Sequence, residues 1–332
     1  MKKILMMFAV VTLLLVGCSS DKDAGGSDSG DKKASASGSD YPKKPIKFII
    51  PFSPGGDTDA NGRIVAKYLQ KELGQNVVPT NVTGSAGSVA TEEASRSKTD
   101  GYTILWHHNA FLINEITGVA QKGYGDFESL GIPIIDQTNL FAVSADSDIE
   151  SLEDLVQKAK DNPGKLNAAS GIGNYSHYLY EDFIEKAGVD INLVDAGGGN
   201  EQRAALLAGR VDILYSTYQQ VQGEIESGDF RVLGFMSEER HPQAQDIPTF
   251  KEQGVDMVDD KFFTIQAPKG TPQEIIDRIS DAMEKIKDDP EYNEELKRLF
   301  VSPDYISPTD SVDFIENEYS KYEKYKDQLK GQ

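Results

Sequence analysis

The chain has 332 residues, a formal net charge of −20 at pH 7, 27% charged residues and one cysteine. That acidity argues against a nucleic-acid partner and against charge-driven adhesion to anionic lipid. A lone cysteine leaves none for intrachain disulfides, and thiolate metal clusters or a thiol triad are equally disfavoured.

Lys2 and Lys3 precede an apolar run from Ile4 to Val16, short for a membrane span and of the length of a secretory signal, so residues 1–17 read as a signal peptide. The run ends in LLVGC, Leu14 to Cys18, which resembles the lipobox of bacterial lipoproteins. The resemblance implies cleavage before Cys18 and a diacylglycerol on its sulfur, anchoring the protein to the cell membrane; an uncleaved anchor is the alternative. Residues 18–40 then form a flexible tether, because Ser, Gly and Asp dominate and no large apolar side chain is present. Its typical reach is roughly 25 Å. The folded body, from Tyr41 onward, therefore works outside the cytoplasm.

Along the body, KFIIPF reads as a buried strand, followed by a Pro-Gly-Gly turn and an amphipathic helix. Ile64, Val65, Tyr68, Leu69 and Leu73 share one face of that helix, and Gly74 is its stop. QNVVPTNV, the turn before SVATEEASRSK, and GYTILWHHN continue the strand–turn–helix grammar of a parallel α/β sheet. The pattern resumes near Leu140 and runs to FRVLGFMS, giving a second α/β unit. DKFFTIQAPKG reads as a strand returning to the first unit, Thr271 as an N-cap with Pro272 at the first helical position, and the helical tail as packing on the first unit. Two lobes with two crossings make a hinged cleft. The expected division is 41–142 plus 265–332 for lobe 1 and 143–264 for lobe 2.

Four Gly-containing turns each follow a strand and precede a helix: Pro54–Asp59, Gly84–Ser88, Ser170–Ser176 and Gly197–Asn200, which contains Gly198. Ligands of open α/β sheets lie at such strand ends, where helix N-termini present free N–H groups. Thr58, Ser85, Ser88, Ser170 and Ser176 add hydroxyls. Read singly, each turn is equally a cap; together they line a cleft with neutral donors. His107 and His108 are adjacent, so in a strand they point to opposite faces and do not share a metal. One of them faces the cleft, here taken as His107, and the other packs. Core packing is the commoner fate of Tyr102, Trp106 and Phe111, with stacking on a sugar ring as the alternative.

The run YPKKPIKFIIPFSPGGDTDANGR resembles the opening of the Bug receptors, the extracytoplasmic solute receptors of tripartite tricarboxylate transporters. Pro54, Gly55, Gly56, Asp59 and Arg63 match that family's Pro-Gly-Gly-x-x-Asp-x-x-x-Arg. NVTGSAGSVA before DGYTILW, SGIGNYSHYLYEDF, GRVDILYS, RVLGFMSEERHPQAQDIPTFKEQG and APKGTPQEIIDRI match in order across the body. The resemblance implies an α/β, type II periplasmic-binding-protein-like Venus flytrap of two lobes joined by two crossover strands. It further implies a monomeric receptor, not an enzyme and without cofactor or metal, that delivers a small di- or tricarboxylate to membrane permease subunits. By the same resemblance Ser53, Gly56, Thr58 and Asp59 form a first ligand loop, and Gly84, Ser85, Ala86, Gly87 and Ser88 a second. Ser170, Gly171 and Ser176 open a helix of the other lobe, and Ser216 and Thr217, just past the strand VDILY, complete the floor.

Two departures stand out. The second loop reads Gly84-Ser85-Ala86-Gly87 in place of Gly-Ala-Gly-Gly, and VDAGG, Val194 to Gly198, replaces Val-Pro-Tyr-Lys-Gly. The substrate is therefore not transferable from a relative. A carboxylate held by amides and water needs no arginine, so Asp59 is expected to brace the loop, with a plain N-cap as the alternative, and Arg63 to pair with it at i,i+4. Other readings of the same binding chemistry are an accessory lipoprotein of a sensor kinase and the binding protein of an ATP-driven importer. No phosphate-binding loop and no Gly-x-Ser-x-Gly elbow is present.

Overall fold

The computed structural model describes residues 41–330. The expected signal peptide, Cys18 and the tether lie outside the described residues.

The body opens with β1 (Ile46–Ile50), α1 (Asp57–Leu73), β2 (Val77–Asn81), α2 (Ser88–Ser95), β3 (Thr103–His108) and α3 (Ala110–Thr117). The predicted face of α1 is buried at Val65, Tyr68, Leu69 and Leu73, and Gly74 ends it in the left-handed conformation, φ +69°. β4 (Phe127–Ser129) and β5 (Ile132–Asp136) follow, and then the chain changes sheets.

The second sheet is built from β6 (Asn139–Ser144), α4 (Leu152–Asp161), β7 (Asn167–Ser170), α5 (Tyr175–Ala187), β8 (Asn192–Asp195), α6 (Gly199–Leu207), β9 (Ile213–Thr217), α7 (Tyr218–Ser227) and β10 (Phe230–Phe235). β11 (Lys261–Pro268) returns to the first sheet, and α8 (Gln273–Ile286), α9 (Pro290–Lys297), β12 (Ser302–Ile306), α10 (Pro308–Glu323) and α11 (Lys326–Leu329) complete the chain.

The first sheet has the order β12-β5-β11-β3-β1-β2, with β4 also on β11; the second has the order β10-β6-β9-β7-β8. Both are mixed, which corrects the expectation of a parallel sheet. β1 pairs in parallel with β2 and β3, but β11 runs antiparallel to β3, β4 and β5. β7 is parallel to β8 and β9, whereas β6 is antiparallel to β9 and β10. The reversed strands include those entering from the other sheet, which no longer follow a right-handed crossover within one sheet.

The first crossing is Gln137–Thr138 and the second lies between β10 and β11. Thr138 Oγ1 accepts the Tyr218 N–H at 3.1 Å, so a crossing residue caps the helix after β9. Ser216 and Thr217 are still strand residues, paired with Leu140 and Asn139, rather than lying past the strand. Thr271 does not cap α8: its hydroxyl donates to the Pro268 carbonyl at 2.7 Å, and the helix opens after Pro272.

The tail does more than pack on the first sheet. α10 lies against α3 and β4, but α11 also reaches α5. There Tyr325 donates to Asp182 Oδ1 at 2.8 Å, and the Tyr322 ring sits 4.5 Å from that of Tyr178. Asp259, in the second crossing, accepts the hydroxyls of Tyr175 and Tyr178 and pairs with Lys321. Burying that carboxylate requires these partners. One apolar cluster, with Leu105, Phe111, Phe141, Tyr178 and Tyr322, runs continuously beneath both sheets.

Candidate functional site

The strand ends of the two sheets meet where His108, at the end of β3, stacks on Phe52 at 4.9 Å and lies 6.2 Å from Tyr175 of α5. Asn139 joins the same point, donating to the Tyr175 hydroxyl at 2.8 Å and accepting from Tyr215 at 2.9 Å.

On the first sheet's side, Ser53 is exposed, Gly56 is half-buried, and Thr58 and Asp59 are buried. Asp59 braces the turn: its carboxylate accepts the Gly55 N–H at 3.0 Å, Arg63 Nε at 2.9 Å and Asn81 Nδ2 at 2.8 Å. Burial by itself would raise its pKa; the bonds from Arg63, Asn81 and Gly55 outweigh that and hold the carboxyl below its usual range. The Thr58 carbonyl accepts the Trp106 indole N–H at 2.9 Å, and Trp106 stacks on Phe263 at 5.2 Å, in the core as expected.

The second turn is unusual in its backbone. Gly84, Ser85, Ala86 and Gly87 all have positive φ, at +131°, +46°, +52° and +96°. Left-handed conformations disfavour side chains by about 1–2 kcal/mol per residue. Asn114 Nδ2 secures the Ala86 carbonyl at 2.8 Å. A Cβ on Gly87 would lie 2.9 Å from His107 Nε2, so this turn closes directly over that ring. Gly84, Ser85 and Ala86 are exposed, whereas Gly87 and Ser88 are buried.

Phe52 lies beside both histidine rings at the strand end, but they diverge as the alternation predicts: His107 lies against Phe111, whereas His108, like Trp106, lies against Phe263. His107 is fully buried beneath the first and second turns; His108 is the one between the sheets. Burial foremost, with the charge of Lys261, lowers the His107 pKa to about 3. His107 Nδ1 lies 2.9 Å from the His108 amide nitrogen and 3.1 Å from the His108 carbonyl oxygen, so the neighbouring backbone occupies it in either tautomer, while Nε2 has no partner among the described residues.

On the second sheet's side, Ser170, Gly171 and Ser176 are buried and Gly198 is exposed. Here the expected donors are largely used internally. Asn174 caps α5, its Oδ1 accepting the Ser176 N–H at 2.9 Å and the Ser176 hydroxyl at 2.7 Å. Ser176 Oγ in turn accepts the Gly171 N–H at 3.0 Å. A Cβ on Gly171 would fall 1.9 Å from Asn174 Nδ2 and 2.8 Å from the Gly197 carbonyl, so the turns after β7 and β8 interlock. Ser216 Oγ donates to Gln220 at 3.2 Å. Ser170 Oγ and Thr217 Oγ1 are buried without partners among the described residues.

Sequence reasoning missed the charged floor. Asp57 Oδ1 accepts the Thr58 N–H at 2.7 Å, its Oδ2 takes the Lys261 ammonium, and both side chains are 6% exposed. Asp136 faces Lys261 across the β5–β11 ladder, fully buried, with Oδ1 bonded to Thr138 and Oδ2 unpartnered among the described residues. A lysine heading the apolar run FFTIQA, and an asparagine opening the helix YSHYLYEDF, were the available signals.

Residues 62–329 match the profile of the tripartite tricarboxylate transporter family receptor. The protein BugT of Bordetella pertussis is 30% identical, over 87% of this chain and 90% of its own. A Cupriavidus necator protein of the UPF0065 group is also 30% identical, over 85% and 86%. An R. palustris protein solved with adipate is 25% identical, with a TM-score of 0.78 over 88% of this chain and 99% of that one. Two mixed sheets meeting at their strand ends, and a match that runs through both, lead to one conclusion: the chain belongs to the tripartite tricarboxylate transporter receptor family.

Proposed function

We propose that this receptor captures a small carboxylate between its two sheets, closes over it, and delivers it to the permease subunits of a tripartite transporter. The observation that carries the reading is a set of strand-end polar atoms buried without partners among the described residues: His107 Nε2 near the end of β3 in the first sheet, and Ser170 Oγ and Thr217 Oγ1 at the ends of β7 and β9 in the second. Buried polar atoms without partners are costly, and a bound oxygen-rich solute or its ordered water would satisfy them. The relative solved with adipate supports an organic acid.

In this reading the Ser53–Asp59 and Gly84–Ser88 turns receive the ligand, and Ser170, Gly171, Ser176, Gly198, Ser216 and Thr217 cover it. The lobes divide near the two crossings. Closure from 1:99 to 99:1 takes about 5.5 kcal/mol of differential affinity. Several charge-assisted hydrogen bonds at roughly 1.5–3 kcal/mol each supply that. The protein acts as a monomer, with Cys18 lipidated and the body tethered outside the membrane.

A thermal-shift panel of mono-, di- and tricarboxylates tests the reading, with stabilisation expected from at least one. Gly56→Asp places a carboxylate at the first turn without a tight contact, its Cβ lying 3.8 Å from the Ser53 carbonyl. It is expected to abolish ligand stabilisation while leaving the ligand-free Tm within a few degrees. Stabilisation by sugars or amines alone refutes the reading.

A further inference from the structure

Lys261 heads β11 and Asp57 opens α1, 204 residues away. The two partners are unequally satisfied. Asp57 Oδ1 takes the Thr58 N–H and hydroxyl at 2.7 and 3.3 Å, at the positive end of α1, and Oδ2 takes the lysine. Lys261 has Asp57 as its one hydrogen-bond partner among the described residues, so two of the three N–H donors of its ammonium are unpaired. The Phe263 ring lies 5.5 Å from Nζ.

Stability does not account for such a residue. Desolvating two charges offsets their attraction, and apolar side chains of similar volume do as well. Position does account for it. Asp57 adjoins Gly56 of the first turn. The charge of Lys261 reaches His108, the ring between the sheets, and that of Asp57 reaches the Tyr215 phenol on the second sheet. Asp136 stands opposite in the ladder, but Thr138 occupies its Oδ1 and no hydrogen bond joins it to the ammonium among the described residues.

We infer that Lys261 is the specificity-determining cation of the site: its two spare N–H donors take one carboxylate of a dicarboxylate whose other end lies on the uncharged turn donors, while Asp57 holds the ammonium in place and weakens its pull. This rests on the carboxylate-receptor reading and deepens it.

The test is the ratio of affinities for length-matched pairs, measured by calorimetry at fixed salt: succinate against butyrate, glutarate against valerate, adipate against hexanoate. Lys261→Met keeps the length of the side chain without the charge, and the dicarboxylate preference is expected to fall at least tenfold. Asp57→Asn keeps an oxygen for Thr58 and unmasks the lysine, so the preference is expected to rise about threefold or more. The double variant removes both charges, guards against misfolding from an unpaired Asp57, and is expected to behave as Lys261→Met. A purely structural pair would move both single variants in the same direction. An unchanged ratio in Lys261→Met and in the double variant overturns the inference and leaves the receptor reading standing, as does a wild-type protein that binds the monoacids equally well. Binding of none of the six acids removes the carboxylate reading and this inference with it.

Discussion

At the end of β1 an ionised group, Asp59, gathers an N–H, a guanidinium and an amide around one turn. At the end of β7 a neutral amide, Asn174, gathers an N–H and a hydroxyl around another. The neighbouring turn of the first sheet holds Ser85 and Ala86 in left-handed backbone, whereas every positive-φ residue in the turns after β7 and β8 is a glycine. The first sheet thus presents a charged, pre-set rim, and the second a relaxed one whose cap donors are used internally while Ser170 Oγ and Thr217 Oγ1 have no partners among the described residues. Backbone strain is retained where the surrounding contacts over-determine it. This contrast is what the proposed capture on the first rim and covering by the second predicts.

Breaking the two braces separates these roles. Asp59→Ala strands the Gly55 N–H, Arg63 and Asn81, and is expected to cost about 3 kcal/mol and to eliminate ligand stabilisation. Asn174→Ala removes a cap and is expected to cost about 1–2 kcal/mol while ligand stabilisation is reduced rather than lost. Urea unfolding with and without a stabilising carboxylate measures both, and equal loss of binding in the two variants would erase the distinction.

Between the rims, acidity itself becomes a probe. Burial foremost pushes Asp136 up to about 6 and Asp260 up to about 7. Each folded-state pKa lies above its unfolded value near 4, so the folded protein binds more protons across that interval. Their contribution is therefore fully present below about pH 4 and is lost as pH rises towards 6 and 7. Asp59 has the opposite sign: its pKa is lowered, so its contribution holds above the unfolded value and is lost on acidification below it. Asp136→Asn keeps an acceptor for Thr138 and is expected to raise stability above pH 7 by on the order of 2 kcal/mol and to flatten the decline from pH 4 to 6. Denaturation midpoints across pH 4–8 check it; an unchanged slope would show that Asp136 is ionised throughout.

The smallest expected effect concerns the strained turn alone. Ala86→Gly removes a Cβ from a residue at φ +52° and is expected to stabilise by roughly 0.5–1 kcal/mol. The ligand on-rate, followed by stopped-flow, should fall if the pre-set turn matters for capture.

Local chemistry is legible in the order of residues. The amphipathic face of α1, the stop at Gly74 and the Asp59–Arg63 pair each follow from residues within one or two turns of chain. The four Gly turns also fall between strand and helix, as their composition predicts. Thr271 and the Ser216–Thr217 strand end depart from expectation by one or two residues, because the competing bonds, to Pro268 and across to β6, involve neither helix periodicity nor a cap pattern. Alternation along β3 sends the two histidine rings to opposite sides, and that His108 is the ring that comes within 6.2 Å of Tyr175 depends on where α5 packs.

The amino-acid sequence by itself determined the strand–turn–helix grammar, the family, and which turns carry donors, since these depend on interactions a few residues long. Tertiary structure alone decided which donors are already spent, where a lysine meets an aspartate 204 residues away, which strands run backwards, and how the tail ties α3 to α5. Those outcomes follow from burial, because a polar group removed from water takes whichever partner the packing brings near, and distance along the chain does not enter that choice.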